Sequence, residues 1–453
     1  MNRTCSRPGA LVCLLFVIGA SQLPARTPYP FHFSFKSGDA FAFIGDGTTY
    51  DGFYGQYIEN FFLTRYPDKR VLFYHAGCKH DTAEDILERL DEDVIPRNID
   101  YAFLLCGTWD GHFESFSEFH YLTYQAHYSE ILDRLKEAKI HPFLISPPMF
   151  DQQVREQRVH DETFGFRMHS VASDYNGVMA LFGSWVREEA SRRGMRFIDS
   201  WGPLNDATSL ARKTNTSFSL VPDSVHPDPG GHAIIAGAIL DSLALEREDV
   251  GDISLSYTGV EDGGWKNQKS TGSVSQISGD AENLTFLYRR KHLPWAFPDA
   301  AMLGVELTEL EERWNRETLT VSGLGKGNYV LTISEELIGE FTSGELGEGI
   351  DLHRLPSRPS YQRAKEVAAQ NGKRYDEVVR SLRDHWQDLK RLRKHGTPAL
   401  VQEEMKLRSG EMNRLRQAAR EKWSQLYEEA KPLNRKIEVT IIPPKGAKTS
   451  SKR

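Results

Sequence analysis

From Phe41 to about Leu245 short apolar runs alternate with amphipathic stretches, and this alternation limits the fold more than any other feature of the chain. The runs are "FAFIG", "RVLFYHAG", "YAFLLCG", "HPFLISPP" and "MRFIDSW". Between them, stretches such as "SEFHYLTYQAHYSEILDRLKEAK" and "SDYNGVMALFGSWVREEASRRG" carry apolar residues at three- and four-residue spacing, the helical period. Strands alternating with helices predict a parallel sheet covered by helices on both faces. In such sheets functional groups gather on the loops after the carboxyl ends of the strands, here "GDGTTYDG", "HAGCKHDT" and "CGTWDGHF".

The 453 residues leave room for more than this unit. After about Asp249 the texture changes to Gly-punctuated alternation ("DISLSY", "LTFLYRR", "ETLTVSGLGKGNYVLTIS"), which predicts a small antiparallel β unit. From Ser360 to about Lys431 the chain is highly charged and helical, and "GTPAL" reads as a helix stop, a Thr cap and a Pro at the first helical position. A helical hairpin is the simplest reading. The run "KIEVTIIPP" then returns to the β unit, which makes the hairpin an insertion in it, and the Lys/Ser-rich end is predicted to be a disordered tail.

The first 30 residues place Arg3 and Arg7 ahead of an apolar run from about Ala10 to Ala20 and then small and turn residues, the pattern of a secretory signal peptide. The run is shorter than the roughly 20 apolar residues a membrane span needs. The expectation is therefore a secreted or periplasmic mature chain without a membrane span. With 56 basic against 63 acidic residues and a formal charge of −7, nucleic acid is excluded as the expected partner. Two of the four cysteines, Cys5 and Cys13, fall in the signal, so only Cys78 and Cys106 are left for a single possible bridge.

Near the end of the α/β part stands "VPDSVHPDPGGHAIIAGAIL", Val221 to Leu240. An Asp three residues before a His, then Pro, a Gly turn and an apolar helix, resembles the last block of the SGNH (GDSL-type) hydrolase superfamily. "FIGDGTT", "HAGCKHDT" and "LLCGTWDG" are similar to the first three blocks, in the same order. The resemblance implies a flavodoxin-like parallel sheet flanked by helices, ester hydrolysis (esterase or carbohydrate O-acetylesterase) as the family activity, an ester or carbohydrate ligand, and no cofactor or metal. The later segments look like the carboxyl-terminal extension of some secreted bacterial members. The expected organisation is a signal peptide at 1–27, an SGNH hydrolase-like domain at 31–247, a β-rich domain at 248–356, a helical hairpin insertion at 357–432, and a final strand and tail at 433–453.

Residue by residue, the resemblance makes His226 the general base and Asp223 its orienting partner. The Ser nucleophile of the family falls on Gly47, its oxyanion-hole Gly on His80, and its oxyanion-hole Asn on Trp109. Asp46, Gly107 and Asp110 complete the expected cleft. Acyl transfer needs an attacking atom and donors that stabilise the oxyanion, and Gly47 supplies no such atom. Thr48 or Thr49 could replace it after a slip of the turn, Asp46 with His226 could activate water directly, and Cys78 beside His80 could act as a thiol nucleophile. His75, His80, Asp81, His112 and His226 could converge on the crevice, but their spacing matches no compact metal-ligand motif. Tyr50, Phe53, Tyr54, Trp109, Phe113 and Phe116 are candidates for a sugar- or acyl-binding platform, with Trp109 the best placed. Three readings follow: an esterase with an altered nucleophile, a noncatalytic carbohydrate- or ligand-binding descendant, and a scaffold whose contact surface is the charged hairpin.

Overall fold

The computed structural model describes residues 33–441, apart from 165, 167–169 and 356. The expected signal peptide and the residues after 441 lie outside the described residues.

The α/β unit runs through β1 (Ala40–Gly45), α1 (Gly47–Asp51), α2 (Phe53–Arg65), β2 (Leu72–Gly77), α3 (Ala83–Asp93), β3 (Tyr101–Leu105), α4 (Glu118–Glu137), β4 (His141–Ile145), α5 (Gln152–Arg158), α6 (Tyr175–Arg193), β5 (Arg196–Ile198), α7 (Trp201–Arg212) and α8 (Pro229–Leu243). Its five strands are parallel, in the order β2-β1-β3-β4-β5, with helices on both faces, which is the flavodoxin-like arrangement. All six residues of β1 are buried, because the strand pairs on both sides and is covered above and below. The period of two divides them: Phe41 and Phe43 enter one core with α2 and α8, while Ala42 and Ile44 enter the other with α3, α4 and α6. On the first face Phe43 stacks on Phe73 and Phe103, and Phe103 on Phe143, an aromatic row running across four strands.

The β unit comprises β6 (Gly251–Tyr257), β7 (Trp265–Ser270), β8 (Ser273–Gly279), β9 (Asn283–Arg289), β10 (Glu317–Ser322), β11 (Asn328–Ile333), β12 (Glu336–Thr342) and β13 (Ile350–Asp351), and it closes with β14 (Asn434–Ile441). They form two sheets, β13-β10-β6-β7 and β12-β11-β14-β9-β8, which share one apolar core. The expectation of an antiparallel unit needs one correction, since β6 and β10 pair in parallel. The chain between β9 and β10 also differs from the sequence reading. Trp295, Phe297, Val305, Leu310 and Trp314 belong to the core of the α/β unit, and the Trp295 indole donates to Tyr57 O at 2.7 Å. Short apolar runs without strand alternation gave no sign of which unit would bury them.

The hairpin begins with one long helix, α9 (Pro359–Arg374), interrupted by a π turn at Tyr375–Val379 and continued as α10 (Arg380–His395). The return helix α11 (Pro398–Glu429) starts as "GTPAL" demands, with Thr397 Oγ1 accepting from Leu400 N at 3.3 Å and Pro398 inside the first turn. The hairpin packs on the open edge of β2 and satisfies its backbone: the Trp423 indole and the Tyr427 hydroxyl donate to Val71 O, and Arg383 donates to Gly77 O. Its charges turn inward as well. Arg374 pairs with Glu59, Arg383 with Asp93 and Lys390 with Asp81, all six side chains being buried.

Candidate active site

Strand register places the candidate loops side by side. Gly45 is level with Gly77 on one neighbour and Leu105 on the other, so the segments after β1, β2 and β3 all leave the sheet at one height. Asp46 then caps α1, accepting from Thr48 N at 3.0 Å, and the helix stops after five residues because Gly52 adopts φ 81°. A fourth loop arrives from the other side of the unit, between α7 and α8. Pro229 opens α8, and Asp228 caps it by accepting from Gly231 N at 2.7 Å.

That fourth loop carries Asp223 and His226. Asp223 Oδ1 accepts the backbone N–H groups of Val225 and His226 at 3.0 and 2.7 Å, and Oδ2 lies 2.8 Å from His226 Nδ1. The carboxylate thus fixes both the loop and the imidazole, leaving Nε2 directed across the crevice. A Cβ built on Gly47 would stand 2.7 Å from that Nε2. Burial works against the charged imidazole, but the hydrogen bond and charge of Asp223, together with Asp51 and Asp46, prevail and hold His226 above its ordinary pKa. Burial likewise opposes the Asp223 anion, and its bonds to His226 hold it below the ordinary carboxylate value.

His80 and Trp109 flank this pair. His80 has φ 59° and lays its ring 4.1 Å from the Trp109 ring, which meets Phe113 edge-on at 4.9 Å and lies 6.5 Å from His226. Burial lowers the His80 pKa to about 4, helped by Lys390, His226 and Lys79, so the ring is neutral at pH 7. Gly107, at φ 129°, turns the third loop against Pro147. Below the crevice lie two buried acids. Asp110 accepts from Ala83 N at 2.8 Å, and burial together with Asp46 and Asp85 lifts its pKa to about 8. Burial lifts Asp46 to about 7 against the pull of His226 and Thr48. Asp110 Oδ2 has no hydrogen-bond partner among the described residues, and the Thr108 hydroxyl lies against the Asp46 carboxyl.

The alternative nucleophiles are placed elsewhere. Thr49 Oγ1 bonds the Tyr54 hydroxyl at 2.9 Å under the turn, and among the described residues Thr48 makes no hydrogen bond to His226. Cys78 is buried beneath Arg383, with burial raising its pKa, so it lacks the exposed thiolate a nucleophile needs. Cys78 and Cys106 are both free, and the possible bridge between them is not formed. The five residues considered for a metal do not converge. His75 is buried on Glu59 at 2.9 Å, Asp81 on Arg89 and Lys390, and His112 stacks on His120. Of the six aromatic candidates only Trp109 has a ring contact with His226. Tyr50 donates to Asp384, Phe53 and Tyr54 pack on His232, and Phe116 lies out on Tyr121.

Two contributions escaped the sequence reading. Asp51, at the end of α1, interacts electrostatically with His226, Lys79 and Arg380, and burial raises its pKa. The hairpin supplies the outer wall: Tyr375 donates to Tyr50 O at 2.6 Å, Gln387 accepts from Lys79 N at 2.8 Å, and Lys390 donates to Lys79 O at 2.9 Å. Asp51 stood within a quoted motif without a spacing to mark it, and nothing local to the hairpin tells which strand edge it will cover.

A parallel α/β unit with an Asp–His pair aimed at the turn after its first strand is the architecture of a hydrolase superfamily. Residues 38–234 match the GDSL-like Lipase/Acylhydrolase family, which supports the SGNH hydrolase superfamily for the α/β unit. An acetylxylan esterase from Geobacillus stearothermophilus is 22% identical over 233 residues, which is 46% of this chain and 96% of that protein. A gut microbial diltiazem-metabolizing enzyme has the same fold over 90% of this chain and 99% of its own, with a TM-score of 0.72 at 21% identity. The crystal structure of the Geobacillus acetylxylan esterase aligns over 47% of this chain and 96% of its own, with a TM-score of 0.36 and 19% identity.

Proposed function

We propose that this chain is an exported SGNH-superfamily protein that has lost acyl transfer and uses its cleft to recognise an acetylated carbohydrate. One observation carries the loss: the His226 imidazole reaches to within 2.7 Å of the Cβ position of Gly47, so the place of an attacking hydroxyl is taken up by the base that would activate it. The same crevice has the His80–Trp109 pair where the superfamily has a small residue and an amide donor. The half-buried Trp109 is the surface for a sugar ring, and similarity to an acetylxylan esterase supplies the ligand class. Export rests on the charged and apolar pattern at the N-terminus.

Purified protein and His226→Ala are compared on p-nitrophenyl acetate and acetylated xylo-oligosaccharides. The expected result is background hydrolysis by both, with saturable oligosaccharide binding that Trp109→Ala weakens about tenfold. Turnover by the unaltered chain that His226→Ala abolishes overturns the proposal and establishes hydrolysis by activated water. N-terminal sequencing of exported protein tests removal of the signal.

A further inference from the structure

Away from the cleft, a recess opens between the first half of β2 and the hairpin, which covers that half less completely than the second. Leu72, Phe73 and Tyr74 are half-buried there, in contrast to the buried second half of the strand. The floor and one wall are apolar, from Phe73, Ile99 and Trp423, and the π turn contributes Val379 from above. The space amounts to about 60 Å³ for water-sized groups, and at roughly 10–15 Å³ per water this suits a single ring or a short acyl chain.

The rim has the opposite character. Arg97, Arg416 and Arg420 border the recess, and no carboxylate lines it. Arg97 donates to the backbone carbonyls of Asp93 and Glu92, and Arg416 donates to Asn413 Oδ1 while its Nε is buried with no partner. Among the described residues none of these three guanidinium groups forms an ion pair. This contrasts with the neighbouring Arg374, Arg383 and Lys390, which all have acidic partners. Cationic groups bordering an apolar cavity without counter-charges favour a ligand that brings both a hydrophobic body and a negative end.

We propose that this recess binds a small amphipathic carboxylate, with its ring or acyl body against Phe73 and Trp423 and its carboxylate on Arg416 and Arg420. The site is independent of the cleft and of any reading of His226.

The test titrates phenylacetate and its neutral isostere phenylacetamide into the full chain, followed by calorimetry and tryptophan fluorescence. Saturable binding of phenylacetate is expected, about tenfold or more tighter than that of phenylacetamide. The double variant Arg416→Gln, Arg420→Gln should lose that preference, and Ala419→Phe, which fills the recess from its edge, should abolish binding. Circular dichroism and the melting transition confirm that each variant is folded. Equal affinity for acid and amide, binding unaffected by Ala419→Phe in folded protein, or no saturation up to about 10 mM overturns the proposal.

Discussion

Arg383 of the hairpin and Asp93 at the end of α3 form a fully buried ion pair, with Nη2 2.6 Å and Nη1 2.9 Å from the two carboxylate oxygens. Arg89 shares the same carboxylate, and Arg383 also reaches Gly77 O, so one guanidinium joins the hairpin to the sheet edge and to the helix behind it. The hairpin is thereby a structural part of the α/β unit, although the chain reaches it only after passing through most of the β unit.

Removing one member of a buried pair strands the other, at a cost of about 3 kcal/mol. Arg383→Ala should lower the unfolding free energy by about that amount in urea titrations, whereas the exposed Arg414→Ala, whose pair with Glu411 is screened by solvent, should be close to neutral. Equal effects of the two would show that the hairpin is not docked as described.

Restoring a hydroxyl alone should not restore hydrolysis. In Gly47→Ser the new Cβ must displace the His226 imidazole, and on the proposed reading His80 and Trp109 still occupy the positions that the superfamily resemblance assigns to the oxyanion hole. Loss of one oxyanion donor typically costs about a hundred- to a thousandfold in turnover. Combining Gly47→Ser with His80→Gly and Trp109→Asn should therefore give p-nitrophenyl acetate turnover well above the single variant, with a burst of p-nitrophenol marking an acyl-enzyme.

Stability should fall as the pH rises through neutrality. Asp46 and Asp110 remain protonated up to about pH 7 and 8 in the folded chain, whereas an exposed Asp loses its proton near 3.8. Between those values the folded state binds more protons than the unfolded one, so each step up in pH favours unfolding. Asn at either position can keep the hydrogen bond from Thr48 N or Ala83 N and removes the ionising group. Each substitution should raise stability at about pH 8 by on the order of 2 kcal/mol and flatten the slope above about pH 4. Because the two acids raise each other, the double variant should gain less than the sum.

Within the Asp223–His226 pair, Asp223 has the opposite dependence and His226 the same one. Asp223 titrates below its ordinary value, so its contribution is present above about pH 3.8 and is lost as the pH falls through the folded value; His226 titrates above 6.5, so its contribution is complete below that and is lost as the pH rises through its folded value. Asp223→Asn should lower the His226 pKa toward its ordinary value, read from the pH titration of its ring proton by NMR. The side chain of Asp223 is 48% exposed, so solvent screens the pair and the effect on overall stability is expected to be small.

The sequence by itself determined what depends on near neighbours along the chain. Continuous apolar runs such as "FAFIG" specify two-faced burial, "GTPAL" specifies the helix stop and cap, and "DSVH" brings Asp223 and His226 within hydrogen-bonding reach, because three residues in a tight turn suffice. The same local order, matched to the superfamily's blocks, pointed to Gly47, His80 and Trp109. Tertiary structure alone decided how far His226 advances toward Gly47, which side chains stack, and where the hairpin lands. It also assigned Trp295 and Trp314 to the core of the α/β unit. Those outcomes depend on contacts between residues hundreds of positions apart, such as Arg383 with Asp93 and Tyr375 with Tyr50. Helical charge patterns are alike whether they face water or a buried acid, so only the closed fold distinguishes the two, through the desolvation each partner would otherwise suffer.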